Sequence, residues 1–226
     1  MQLEPRYKHL DHLINAFVVV LIISNLVAPK IVAIGDLRMS GAQILFPITY
    51  IFGDIFTEVY GYGASRRAIW TGFIASALLA AIGMTIVALP AAPEWHDQEA
   101  YAKVFNFVPR LVVASLVAYW CGEFANAFVM ARLKVLTEGK MLWVRTIGST
   151  AVGQFVDTVV VITLAFGGTV GVSTLMNLIF SGYIGKVIYE AAMTPVTYLV
   201  VNGLKKSEGI DVFDTNTDFN PFHGPK

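Results

Sequence analysis

Two carboxylates interrupt an otherwise apolar and aromatic stretch of the chain, Pro47-Ile-Thr-Tyr-Ile-Phe-Gly-Asp54-Ile-Phe-Thr-Glu58-Val-Tyr-Gly-Tyr-Gly63. Asp54 and Glu58 are four residues apart, so on a helix both project from one face, and Tyr50 and Tyr62 extend the same stripe. A charged side chain that faces lipid costs about 3 kcal/mol on insertion scales. We therefore expect this stripe to face protein or a water-filled cavity, and its residues are functional candidates.

The composition is that of a polytopic membrane protein. Of 226 residues, 56% are hydrophobic and only 14% are charged, and the mean hydropathy is +0.63. The formal net charge of zero gives no indication of nucleic-acid binding. No cofactor or metal is expected, because the sequence has no phosphate loop, metal-ligand cluster or dinucleotide fingerprint. Cys121 is the only cysteine and is interpreted as a packing residue.

The fold predicted from the sequence is all-α, with six transmembrane helices. A span needs about 20 mostly apolar residues, and the segments that supply them are approximately 11–33, 42–63, 68–90, 107–131, 146–167 and 174–203. Pro47, Gly53 and the two carboxylates interrupt the second segment, which could be continuous, broken or re-entrant.

The positive charges in the connections predict that both termini are cytoplasmic. With six spans, eleven lysines and arginines fall on one side and four on the other. The larger set is Arg6, Lys8, Arg66, Arg67, Arg132, Lys134, Lys140, Arg145, Lys205, Lys206 and Lys226, and the smaller set is Lys30, Arg38, Lys103 and Arg110. We predict one transmembrane domain over residues 1–204 and a polar cytoplasmic tail over 205–226.

Further polar residues recur inside the later predicted spans, and together with the opening stretch they form the candidate substrate-binding set. Five carboxylates and one lysine in this set leave an excess of four negative charges, which favours protons or a ligand rich in hydrogen-bond donors. Lys186 could pair with Glu190 on its own helix or with Asp157 on a neighbouring one. The candidates are Asn25, Tyr50, Asp54, Glu58, Glu123, Asn126, Gln154, Asp157, Lys186 and Glu190.

Two intramembrane protease mechanisms fit the sequence poorly, and no catalytic residue is predicted. A serine protease needs a membrane-embedded histidine, but the four histidines all fall outside the predicted spans. An aspartyl protease could use Asp54 and Asp157. However, the Gly-x-Gly-Asp pattern of that family has Ile51 at its first glycine here, and Val156 stands where that family has tyrosine.

Motifs along nearly the whole chain resemble those of the queuosine precursor transporter family, also described as a family of vitamin-uptake transporters of bacteria and archaea. The resemblance is carried by Pro47-x-x-Tyr50-x-x-x-Asp54-x-x-Thr57-Glu58-x-Tyr60-Gly61-Tyr62, Glu123-Phe-Ala-Asn126, Arg145-Thr-Ile-Gly-Ser149, Gly153-Gln154-x-x-Asp157-Thr158, Lys186-x-x-x-Glu190, Pro195 and Asn220-Pro221-Phe222.

The resemblance implies a six-helix protein of the prokaryotic cytoplasmic membrane that imports 7-cyano- and 7-aminomethyl-7-deazaguanine for tRNA modification. Its fold could be similar to the substrate-binding components of energy-coupling-factor transporters. The expected partners are a small deazapurine and the lipid bilayer, with a homodimer left open. A carboxylate of Asp54, Glu58 or Asp157 would accept hydrogen bonds from the donor edge of the base. Gln154, Asn126 or Lys186 would donate to its carbonyl.

Alternatives to this simple importer remain open. The carrier could be a proton symporter or could run downhill, and the chain could instead be the substrate-binding subunit of a larger energised transporter.

Overall fold

The computed structural model describes residues 7–34, 37–105, 109–168 and 171–222. The helices are α1 (Leu10–Val27), α2 (Phe46–Tyr60), α3 (Tyr62–Ala88), α4 (Gln98–Phe105), α5 (Pro109–Leu136), α6 (Leu142–Phe166) and α7 (Val172–Glu208). The predicted helical architecture is confirmed. Between α1 and α2 the structure adds two antiparallel strands, β1 (Ile31–Ile34) and β2 (Leu37–Ser40), followed by a short 3-10 turn over Gly41–Ile44.

Four helices in the described part of the chain are long and apolar enough to cross a bilayer, namely α1, α3, α5 and α6. The 15 residues of α2 rise about 22 Å, which is shorter than the roughly 30 Å hydrocarbon core of a bilayer. The 37 residues of α7 rise about 55 Å and exceed it. The predicted first span extended too far, because α1 ends at Val27, two residues before Pro29, and the chain then enters the hairpin.

The chain breaks between α2 and α3 at a single residue, Gly61. Its φ of +85° lies in the region that favours glycine, and a Cβ there would lie 2.7 Å from Cγ1 of Val212. The predicted second span of 42–63 is therefore a short helix followed by a second helix with a new direction. The prediction that Tyr62 extends the stripe of Asp54 is wrong, because Tyr62 is the first residue of α3 and not part of α2.

Helix α2, which carries Asp54 and Glu58, lies at the centre of the bundle. Helix α2 packs against α1, α3, α5 and α7, and every residue from Asp54 to Tyr60 is buried. Large apolar residues on the surrounding helices, such as Ile82, Val113 and Phe180, are exposed on the outer surface. A polar centre inside an apolar surface is the arrangement expected of a protein surrounded by lipid.

Two glycines allow α5 and α6 to approach each other closely. A Cβ at Gly153 would lie 2.7 Å from Cβ of Asn126, and one at Gly122 would lie 2.8 Å from Cβ of Asp157. Small residues at such contacts are typical of helix packing in membranes. The contact brings the polar residues of the two helices to the same level of the bundle.

The segment after α7 folds back along the bundle. The Asp214 carboxylate accepts a hydrogen bond from the Tyr62 backbone N–H at 3.0 Å, at the N-terminus of α3. The Trp70 indole N–H donates to the Pro221 carbonyl at 2.8 Å, and the rings of Phe219 and Tyr62 meet edge to face with centroids 4.9 Å apart. This polar tail is therefore held against the helices over most of its length.

Candidate functional site

The centre of the bundle contains a cluster of buried oxygen atoms without hydrogen-bond partners in the described part of the chain. Those of Asp54, Asn126 and Glu190 lie near one another, and we call these three residues the acceptor cluster; the amide oxygen of Gln154 on α6 also lacks a partner. Asp54 and Glu190 are 0% and 1% exposed. In the described residues neither carboxylate receives a hydrogen bond of standard geometry, although the side chain of Asn126 lies close enough to Asp54 to interact with it. A buried polar atom that lacks a partner costs about 1–3 kcal/mol, and a charged one costs more. The cluster therefore favours a proton or a ligand that brings donors.

The acidic residues of four helices meet around this cluster. Asp54 of α2 lies within electrostatic range of Glu190 of α7, Glu58 of α2 and Glu123 of α5. Glu123 in turn lies near Asp157 of α6. The tertiary structure thus places each of the five predicted carboxylates within electrostatic range of at least one other, although they are spread over more than 130 residues of sequence.

Lys186 compensates one of these carboxylates. Its Nζ lies 2.7 Å from Oδ2 of Asp157 and 3.4 Å from Oγ1 of Thr158. Of the two ion pairs considered from the sequence, the structure contains the one between α7 and α6. Glu190, one turn further along α7, has no cation within salt-bridge distance in the described residues.

Glu58 lies in a separate ionic network at one end of the bundle. Its carboxylate accepts hydrogen bonds from Nε and Nη2 of Arg145 at 3.0 and 2.6 Å, and from Nζ of Lys205 at 2.7 Å. Lys134 lies 3.8 Å from the same carboxylate and donates to the Glu58 and Val212 carbonyl oxygens at 2.5 and 2.6 Å. The negative charge of Glu58 is therefore compensated by cations of this chain.

The network was missed by reading the sequence. Lys134 and Lys205 were interpreted only as charges that set the orientation, Arg145 as such a charge and as the first residue of a family motif, and Asp211 only as part of a polar tail. Asp211 lies 2.5 and 2.8 Å from Nζ of Lys134 and Lys205. Burial tends to raise the pKa of Asp211, but these two hydrogen-bonded lysines outweigh it and hold that pKa below its usual range. No local sequence signal links residues so far apart.

The remaining predicted residues are placed as follows. Glu123 and Asn126 line a small cavity of about 10 Å³, with Gly53 opposite them. Asn25 lies elsewhere, in a pocket of about 410 Å³ between α1, α3, α4 and α5, where its Nδ2 donates to Oγ of Ser76 at 3.3 Å. Tyr50 is part of α2, and its side chain falls outside what the structure describes.

The fold and the buried polar residues together define the class of protein. A bundle with an apolar exterior, several helices of spanning length and buried polar residues drawn from facing helices is a multi-pass membrane protein with an internal polar site.

Comparison with known proteins identifies the family. Residues 40–200 match the family described as "Putative vitamin uptake transporter", and the chain belongs to that family. The resemblance noted from the motifs is thereby confirmed, and the chain is a membrane transporter.

Named bacterial relatives cover most of the chain. It is 26% identical over 176 residues to the "Probable queuosine precursor transporter" of Bacillus subtilis (strain 168), which is 77% of each chain. It is 27% identical over 161 residues to the "Queuosine precursor transporter" of Escherichia coli (strain K12), covering 71% of this chain and 70% of the relative. No solved structure matches the chain.

Proposed function

We propose that the chain imports queuosine precursors, specifically 7-cyano- and 7-aminomethyl-7-deazaguanine, across the cytoplasmic membrane of a prokaryote, and that it carries out no chemical reaction on them. The observation that carries the proposal is the acceptor cluster. The names of the relatives supply the substrate class, and the chemistry of the cluster fits that class.

A guanine-like base has a ring N–H and an exocyclic amine side by side. Two adjacent donors match the two oxygens of one carboxylate, as in other bidentate pairs. Asp54 or Glu190 is the acceptor in our proposal, because in the described residues Glu190 has no donor and Asp54 has only the side chain of Asn126 beside it. The amide nitrogens of Asn126 or Gln154 would donate to the carbonyl of the base.

The arrangement of the helix ends supports six crossings with both termini in the cytoplasm. The Lys8 backbone N–H, at the start of α1, donates to Glu208 at the end of α7 at 2.9 Å. Asp11 pairs with Arg67, near the start of α3, at 2.9 Å. The chain thus returns to the same end of the bundle after α2 and again after α7, and an even number of crossings follows. In this proposal α2 and the hairpin before it make the second crossing.

Complementation tests the function directly. In cells that cannot synthesise queuosine precursors, expression of this chain should restore queuosine in tRNA at low external 7-cyano-7-deazaguanine. Queuosine content is measured in purified tRNA, and membrane expression is verified by immunoblot. Absence of queuosine despite normal membrane expression would refute the proposal.

Amide variants test the site. Asp54→Asn removes the charge that would bind the donor edge, and a hydrogen bond to a charged group is worth about 1.5–3 kcal/mol, so uptake should fall by roughly 10- to 100-fold. Glu190→Gln should also lower uptake. Asp11→Asn is the matched control, because that carboxylate is exposed and far from the cluster. Wild-type uptake by both Asp54→Asn and Glu190→Gln would show that the cluster does not bind substrate.

A further inference from the structure

The two cavities differ in volume, and the difference determines which of them can hold a substrate. The cavity beside Glu123 and Asn126 measures about 10 Å³, which is room for about one water molecule. The pocket that contains Asn25 measures about 410 Å³, within the range of small-molecule sites. A bicyclic base therefore fits the large pocket in this conformation and does not fit beside the acceptor cluster.

We propose that the large pocket is a first binding site for the planar deazaguanine base on the outer side of the membrane, and that Tyr119 is the barrier between it and the acceptor cluster. This inference rests on the proposed function for the ligand and on the proposed topology for the side. It adds a second site and a conformational step to that function.

The pocket has the composition of a site for a mostly apolar heterocycle. Aliphatic side chains form most of its wall, and its polar groups are Asn25, Ser76, Ser115 and the ammonium-bearing Lys103 of α4. The ring of Tyr119 forms part of the same wall and offers a face for stacking. The pocket is formed by the C-terminal parts of α1 and α3 and the N-terminal part of α5, at the opposite end of the bundle from the Glu58 network.

Tyr119 separates the two cavities. Its hydroxyl donates to the Ile69 carbonyl oxygen at 3.3 Å, and Ile69 lines the small cavity. One turn further along α5, Glu123 lines the small cavity as well, whereas Tyr119 lines the large one. The same division occurs on α1, where Leu21 lines the large pocket and Phe17 lines the small cavity.

Because Gly72 has no side chain, Tyr119 can pack tightly against α3 between the two cavities. A Cβ at that position would lie 2.6 Å from Oη of Tyr119, 2.9 Å from Cδ2 of Leu21 and 3.1 Å from Cε1 of Phe17. Side chains from α1 and α5 thus pack directly against the backbone of α3 at Gly72. Movement of Tyr119 away from Ile69 would join the cavities, and a base could then reach the acceptors of Asp54 and Asn126.

Single-cysteine labelling in intact cells tests the pocket. In a Cys121→Ser background, Ser115→Cys places a thiol of almost the same size as the serine on the pocket wall. A membrane-impermeant maleimide should label it from outside, and 7-cyano-7-deazaguanine at ten times its dissociation constant should slow labelling by about tenfold. The matched control is Val117→Cys, which is exposed on the apolar surface of the same helix and should not react.

Labelling that is absent, or that the base does not slow, overturns the first binding site. Restoration of queuosine in tRNA is measured in the same cells, so the two proposals fail separately. Uptake without protection refutes the site and leaves the function standing, whereas protection without uptake supports the site and refutes the function. Loss of both refutes both.

A second thiol tests the barrier. Ala127→Cys lies in the wall of the small cavity and should be unreactive from outside when Tyr119 is present. Tyr119→Ala should make it reactive, and Tyr119→Phe, which removes only the hydrogen bond to Ile69, should raise its reactivity to a smaller extent. If Ala127→Cys is labelled equally with and without the tyrosine, Tyr119 is not the barrier.

Discussion

Replacing Glu58 by glutamine is expected to destabilise the fold through the buried ionic network. The network contains the cations Arg145, Lys134 and Lys205 and the carboxylates Glu58 and Asp211, a net charge of +1 (three minus two). Glu58→Gln raises it to +2 and leaves the guanidinium of Arg145, which is 1% exposed, without an anion.

The expected cost follows from the burial of each partner. Breaking a buried pair by removing one partner costs about 3–5 kcal/mol. The side chains of Lys205 and Asp211 are 20% and 45% exposed and can be solvated after the substitution. We therefore expect the lower end of this destabilisation, about 3 kcal/mol. For a chain of this size each kcal/mol lowers the midpoint of thermal unfolding by about 2–4 °C, which gives a decrease of about 6–12 °C.

The assay is the midpoint of thermal unfolding of the purified protein in detergent, followed by the monomer peak in size-exclusion chromatography. Glu138→Gln is the control, because Glu138 forms an exposed pair with Lys140 at 3.5 Å, and such pairs contribute about 0–1 kcal/mol. A decrease for Glu58→Gln no larger than that for Glu138→Gln would refute the structural role of the network.

Three further predictions concern helix contacts and the tail. Gly72→Ala should cost about 1–3 kcal/mol by overpacking, whereas Gly203→Ala, with no atom near its Cβ position, should be neutral or stabilising by up to about 1 kcal/mol, as read from the same thermal assay. Asp214→Ala should cost about 1–2 kcal/mol by removing the acceptor at the start of α3, and Asn216→Ala, at an exposed position, should have little effect; equal shifts would contradict this role. Asp211→Asn should lower the free energy of unfolding at neutral pH, because the pKa of that carboxyl is lowered in the folded state and its contribution to stability is fully present above about pH 4. The difference in stability from wild type should vanish as the pH falls through the folded-state pKa. A difference that grows on acidification would contradict this sign.

Much of the helical pattern could be predicted from hydropathy alone, because each span must satisfy its own backbone hydrogen bonds and present an apolar surface to lipid. The six predicted segments correspond to α1, α2, α3, α5, α6 and α7. The hairpin and α4 were missed because they are too short to show a transmembrane pattern. A broken second span was one of the alternatives, but the position of the break at Gly61 was not predicted, because local sequence does not show whether a glycine is used for its positive φ or for close packing.

Hydropathy and residue spacing also identified the candidate carboxylates, because an ionisable residue in an apolar segment is noticeable in any context. The partners of those carboxylates were not predictable. Arg145 and Lys205 stand near helix ends, where positive charges are expected for orientation alone.

The sequence by itself determined that the chain is a multi-pass membrane protein, which family it resembles and which side chains are out of place in lipid. Only the tertiary structure showed that the charge of Glu58 is neutralised by nearby cations, whereas Asp54 has no cation within salt-bridge distance in the described residues. The physical reason is that the free-energy cost of burying a charge depends on that residue and its solvent. Neutralisation of the charge depends on which oppositely charged groups from distant segments come within about 4 Å. Asp54 and Glu58, one turn apart on α2, therefore have different environments and different expected roles.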